Sequence, residues 1–209
     1  MYADPENIRL HRYHGVLLLA LAAVFTWSAV HPHDTFTWFL EVFPAMLGVV
    51  VLIAVYPRFQ FTSLAYTLIF MHMVILLVGG HYTYAEVPPF NWLRDHFHLA
   101  RNHFDRVGHL AQGFVPAIVA REVLIRRSPL RAGKWLIFLV LCFCMALSAC
   151  YELFEWGVSE ATGSAADAFL DSQGDPWDTQ WDMFCCLIGA VVSLLLLSRV
   201  HDRLLAKTE

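Results

Sequence analysis

The sequence predicts an all-α membrane protein, a bundle of six transmembrane helices with both termini in the cytoplasm, and three observations predict it. Of the 209 residues, 58% are hydrophobic and only 15% charged, whereas soluble domains carry about a quarter charged residues. Six apolar runs of membrane-crossing length follow one another along the chain. In a six-span threading, eleven of the fourteen Lys and Arg fall on one side, which the positive-inside rule makes cytoplasmic. The runs leave no stretch for a separate soluble unit, so residues 1–209 read as one domain.

The first run, 13–30, follows a polar segment containing Arg9, His11 and Arg12. It has the basic flank and apolar core of a signal peptide. No small-x-small cleavage site precedes His31-Pro32-His33-Asp34, however, so an uncleaved span is predicted. The second run, 36–55, has Trp38 and Tyr56 near its ends as interfacial aromatics, and it carries Glu41. A short turn, 56–60, predicts antiparallel packing against the third run, 61–78. That run holds His72, read as a hydrogen-bonded core histidine, and ends in Gly79-Gly80-His81-Tyr82-Thr83-Tyr84.

Residues 85–101 are predicted as a loop, with His96, His98 and His103 solvated. The fourth run, from Asn102 to about Val123, is the least apolar, and Pro116 should kink it, as neighbouring helices tolerate. A basic loop follows with Arg126, Arg127, Arg131 and Lys134. The fifth run, 135–156, ends in Tyr151-Glu152-Leu153-Phe154-Glu155-Trp156. The next loop, 157–180, is acidic and lacks Lys and Arg; its Asp171 and Asp175 read as a solvated face. The sixth run, 181–200, leads to a tail with Arg203 and Lys207. All five cysteines lie in apolar runs without Cys-x-x-Cys spacing, which suits small core residues better than disulfides or a zinc knuckle. No basic, aromatic-interleaved patch suggests nucleic acid, and no Gly-x-Ser-x-Gly, His-Glu-x-x-His or phosphate-cradling loop names a substrate.

Chemistry is concentrated in three pairs. Asp105 and His109 stand four residues apart and share one helix face; Glu152 with Glu155 and Asp178 with Asp182 repeat the pattern on two later runs. About twenty helical residues cross a hydrocarbon core of about 30 Å. Counted from the basic ends, all six residues fall within about two turns of the extracytoplasmic boundary. Glu41, His81, Tyr82 and Tyr84 reach the same level.

Such a set cannot stay charged away from water without compensation, and three resolutions are open. A divalent ion (zinc, magnesium or manganese) held by Asp105, His109, Glu152 and Asp182 would activate water. That makes a hydrolase or transferase acting on an envelope lipid or lipid-linked group, with His109, Glu155 and Asp178 as candidate catalytic residues. Alternatively Arg106, with Arg101, supplies internal counter-ions in a structural or accessory protein. Arg106 projects about 100° from Asp105 on a helix, so it is expected to miss the centre. The third resolution protonates some carboxylates, as small proton-coupled transporters do. Membrane lipids are the expected partners, and the oligomeric state is open.

The segments Gly80–Tyr84, Arg101–His109, Tyr151–Trp156 and Gln173–Met183 resemble the YjdF-type inner-membrane proteins over nearly the whole chain. The resemblance implies a multi-pass protein of a bacterial inner membrane and names no reaction. A looser similarity is to VanZ-like membrane proteins, linked to glycopeptide-antibiotic resistance. Asp105-Arg106-Val107-Gly108-His109, Glu152, Asp178 or Asp182, and Gly189-Ala190 follow that family's order, with Arg where it has Lys and without its later Asn.

Overall fold

Apolar segments without water must close their backbone hydrogen bonds internally, and helices do so within one run. The computed structural model describes residues 5–163 and 167–207, and each of the six runs lies in a helix. In chain order these are α1 (Pro5–Ala29), α2 (Thr35–Val55), α3 (Ser63–Tyr82), a 3-10 turn (Tyr84–Glu86), α4 (Pro88–Phe97), α5 (Phe104–Arg127), α6 (Lys134–Thr162), α7 (Asp167–Leu170) and α8 (Asp178–Leu205). Five of them (α1, α2, α3, α6 and α8) are long and apolar enough to cross a membrane. The fourth run, α5, has the length, 24 residues, but also carries Asp105, Arg106, Arg121, Glu122, Arg126 and Arg127.

Local chemistry sets the boundaries. Asp34 accepts from the Thr37 amide at 2.7 Å and caps α2. The predicted loop 85–101 instead contains α4. Pro88 and Pro89 occupy its first helical positions, where a missing N–H costs nothing, and His98 ends it in the left-handed conformation (φ 54°). The proline pair of the predicted loop is here a helix start.

α5 is the inner element, packed against α3, α6 and most extensively α8. Its contact with α8 rests on two glycines. A Cβ on Gly113 would stand 1.8 Å from the Cys186 carbonyl oxygen, and one on Gly189 would stand 2.0 Å from that of Leu110. Below this crossing Ala117, Val140, Cys144, Cys186 and Ala190 form an apolar core, in which both cysteines are free thiols. A second core joins α1, α2 and α3 through Leu21, Val42, Ala45, Met73 and Leu77. There the Ser28 hydroxyl donates to the Leu77 carbonyl at 2.6 Å and accepts from the Trp38 indole at 2.9 Å. The outer faces of α2, α6 and α8 expose Leu47, Val50, Phe138, Phe143 and Leu195, the apolar surface that lipid covers.

The C-terminal half of α5 is locked by a fully buried Glu122. Its carboxylate accepts from the Thr62 amide (2.9 Å), the Thr62 hydroxyl (2.8 Å) and Arg126 (2.7 Å). The Arg121 guanidinium can only donate, so its 3.0 Å contact makes His201 Nδ1 an acceptor. His201 Nε2 then donates to Glu122 at 3.0 Å.

Replacing Gly189 by Val should force α5 and α8 apart, lowering the thermal midpoint of the solubilised protein. The expected cost is at least the about 1–3 kcal/mol of ordinary overpacking. Gly157 meets nothing within 4 Å of an added Cβ, so Gly157→Ala should leave the midpoint unchanged or slightly raised. Equal midpoints for the two variants would refute the glycine-limited packing.

Candidate functional site

The site is built on the first turn of α5 and on the loop before α8. Asn102 is fully buried: its Oδ1 accepts from the Phe104 amide at 2.9 Å, and its Nδ2 donates to Asn91 at 2.8 Å and to the Val87 carbonyl at 3.2 Å. Gln173 reaches back to the same residue, accepting from its amide (2.9 Å) and donating to its carbonyl (3.0 Å). Asp171 and Gln173 both sit at φ 47°, a left-handed turn that aims the loop at α5. Asp171 is therefore buried and Asp175 is half-buried against Arg101 and Arg106. The solvated face predicted for these two aspartates is corrected on this point.

Two guanidinium groups organise the aspartates. Arg101 bonds Asp178 and donates to the Asp171 carbonyl at 2.9 Å, with Asp105 at 3.5 Å. Arg106 bonds Asp182, holds Asp178 at 2.7 Å, and lies 3.4 Å from Asp175 and 3.6 Å from Asp105. The expectation that Arg106 misses the centre is thus overturned. Its Cα direction does differ from that of Asp105, but α8 packs across that flank and the long side chain spans the gap.

His109 is buried at the middle. Its Nε2 is 3.3 Å from Asp105 Oδ1 and 3.8 Å from Asp182 Oδ1. Its Nδ1 is 3.1 Å from Gln112 Oε1 and 3.7 Å from Glu152 Oε1, a buried oxygen with no hydrogen-bond partner among the described residues. One ligand atom each from Asp105, His109 and Asp182 lie within 4.8 Å of one another. Three of the four predicted metal ligands therefore converge, and Glu152 stands one step behind His109.

A groove of about 830 Å³ opens beside them between α2, α3, α5 and α6. Its polar head is formed by Glu41, Asp105, His109, Tyr151, Glu155 and Asp171, its long wall is apolar, and Arg58 and Arg127 mark the far end. The predicted site residues divide at this wall. Asp105, His109 and Glu155 line the groove, whereas Glu152, Asp178 and Asp182 lie behind it. Asp178, proposed from sequence as catalytic, is instead held by both arginines. His72 is half-buried on the groove wall, and His96, His98 and His103 are exposed as expected. Glu41 is buried and belongs to the head. The sequence also missed Asn102, Gln173 and Gln112; polar residues beside the charged pairs were the available signal.

Burial pushes the Asp171 carboxyl up to about 8, and the charge of Asp105 adds to the rise. The folded protein therefore keeps a proton that the unfolded chain releases above its ordinary value of 3.8. The associated stability is full at low pH and lost as pH rises through about 8. Asp171→Asn should flatten the fall in thermal midpoint between about pH 4 and about pH 8, the two values that bracket this titration. An unchanged pH slope would contradict the assignment.

The profile of the family described as "Predicted membrane protein (DUF2238)" matches residues 13–203. The chain is 47% identical over 189 residues to "Inner membrane protein YjdF" of Escherichia coli (strain K12), covering 90% of each sequence. No solved structure matches.

Proposed function

The chain belongs to the family of predicted membrane proteins DUF2238, and from that premise we propose a single-domain inner-membrane protein of six spans that binds an amphiphile in its groove and carries out metal-assisted hydrolysis or group transfer at its polar head. α5 is the remaining span, its charges covered by α3, α6 and α8, and both termini are cytoplasmic. The polar head then faces the periplasm, where an envelope lipid or lipid-linked group is the substrate.

One observation carries this reading. With Gln112 Oε1 accepting from His109 Nδ1–H, Nε2 turns a lone pair towards carboxylate oxygens of Asp105 and Asp182 at 3.3 and 3.8 Å. Three electron-rich atoms approach so closely only with a proton or a cation between them. A divalent ion suits the set: one nitrogen and two oxygen donors lie within 4.8 Å of one another, and small side-chain shifts would bring them to the about 2.0–2.2 Å of metal ligands. Such an ion lowers the pKa of a bound water and polarises the bond to be broken. Gln112 fixes the imidazole, as partners of metal-bound histidines do. Arg106 fixes Asp182 from the other side, and Asp105 and Glu155 face the substrate. A proton at Nε2 is the second reading, and it makes the same cluster a proton relay in a transporter.

Metal analysis of the purified protein separates the two. About one equivalent of zinc, manganese or magnesium is expected, lost in His109→Ala with membrane insertion intact. Gln112→Leu should weaken the metal by about 10–100-fold. A folded wild type that binds none of these ions would remove the metal reading and leave the proton relay. The topology has its own check in a cysteine-free background. Cysteine at position 95 should react with an impermeant maleimide from outside, and cysteine at position 130 only after permeabilisation. The reverse pattern would invert the site to the cytoplasm.

A further inference from the structure

We infer that the amphiphile seated in the groove is a lipid with a protonated amine in its headgroup, and that Glu41 and Glu155 are its counter-ions. The inference rests on the groove being a substrate site and adds the class of substrate.

Glu41 is the starting point. It is only 4% exposed, lines the groove head, and has no hydrogen-bond or ion-pair partner among the described residues. A buried carboxylate without a partner is costly and either keeps a proton or meets a cation; at the head of a groove open to a ligand, it is a place for a cation to sit. Glu155 lines the same head from α6, likewise without such a partner among the described residues. The Phe43–Phe154 stack, with ring centroids 6.2 Å apart, joins α2 to α6 one or two residues from each carboxylate.

The two arginines closest to the head are committed to aspartates, and Arg58 and Arg127 stand at the far end of the groove. Arg101 and Arg106 are engaged by Asp171, Asp175, Asp178 and Asp182, behind or beside the groove. A divalent ion at Asp105, His109 and Asp182 would still leave Glu41 and Glu155 uncompensated. The rings of Tyr84 and Tyr151 complete the lining, and ammonium groups favour aromatic faces. A phosphate monoester would bring its negative charge beside Glu41 and Glu155, which line the head.

The groove wall chooses between a lipid and a free amine. Leu47, Val51, Phe143 and Leu147 line it and are all exposed, so it opens sideways through an apolar face. Entry is from hydrocarbon, and about 830 Å³ lies within the about 300–1,000 Å³ of ligand pockets.

The test compares headgroups on one chain. Full-length protein in a neutral detergent is titrated with dodecylammonium, dodecanol, dodecyl phosphate and butylammonium, and bound ligand is read by native mass spectrometry. Dodecylammonium should bind at least about tenfold tighter than each of the others. The Glu41→Gln, Glu155→Gln double variant should bind it no better than dodecanol. Should that variant fail to fold, the wild-type series decides alone. Equal binding of the three dodecyl probes overturns the amine assignment and leaves the groove reading standing. Tighter dodecyl phosphate also overturns it, and butylammonium as tight as dodecylammonium overturns the lipid. Binding by none of the four overturns both the inference and the groove reading.

Discussion

A charge removed from water persists only where a partner compensates its lost hydration, and Arg106 meets that condition by crossing from α5 to Asp178 and Asp182 of α8. The crossing depends on how closely the two helices approach. Gly113 and Gly189 remove the side chains that would hold them apart, so backbone lies against backbone about two turns from the Arg106–Asp182 ion pair. Arg101 repeats the device for the loop, binding Asp178 and the Asp171 carbonyl at once. The start of α5, the loop and the start of α8 are thereby one rigid block, and His109 takes its position from that block.

Two guanidinium groups face eight carboxyl groups, and the structure distributes them unevenly. Asp171, Asp175, Asp178 and Asp182 take the arginines; Glu41, Glu152 and Glu155 take none among the described residues. Asp105 stands between the halves, touching Arg101, Arg106 and His109. The counter-ion account and the ligand account, alternatives at the level of sequence, thus describe two sides of one assembly. The arginine side holds the geometry, and Glu41 and Glu155 on the groove side stand without an arginine partner among the described residues.

Much of this was legible in the sequence because a helix repeats every 3.6 residues whatever its surroundings. Asp105 with His109, and Asp178 with Asp182, needed only that period to share a face, and chain depth put them at one level. What was not legible depends on side-chain reach and on pairing between distant segments. A guanidinium extends far enough to cancel a 100° offset, so the direction of Arg106 at its Cα misled. Asp171 looked solvated because nothing local to it reveals that Gln173 will seize the backbone of Asn102. Glu155 and Asp178 were named alike as catalytic, yet the groove admits one and excludes the other. Glu122 gave a weaker signal still, a lone acid in a basic stretch, since its partners Thr62 and His201 lie about sixty and eighty residues away.

α5 gathers these constraints. It is polar at both ends, held by Arg101, Arg106 and the aspartates at one and by Glu122, His201, Arg126 and Asp202 at the other. Composition alone would keep such a helix out of hydrocarbon, and it is not among the five apolar enough to cross on that measure. Burial reverses the argument. Half of its 24 residues are buried, including Asp105, His109, Arg121 and Glu122, so lipid meets α2, α6 and α8 rather than the charges. A helix of this kind is tolerable in a bilayer only after its neighbours have assembled around it, so insertion of α5 as the proposed sixth span would depend on packing against α3 and α8. The same enclosure keeps His109 and its carboxylates away from bulk water while leaving one apolar side open, the combination that the proposed lipid site requires.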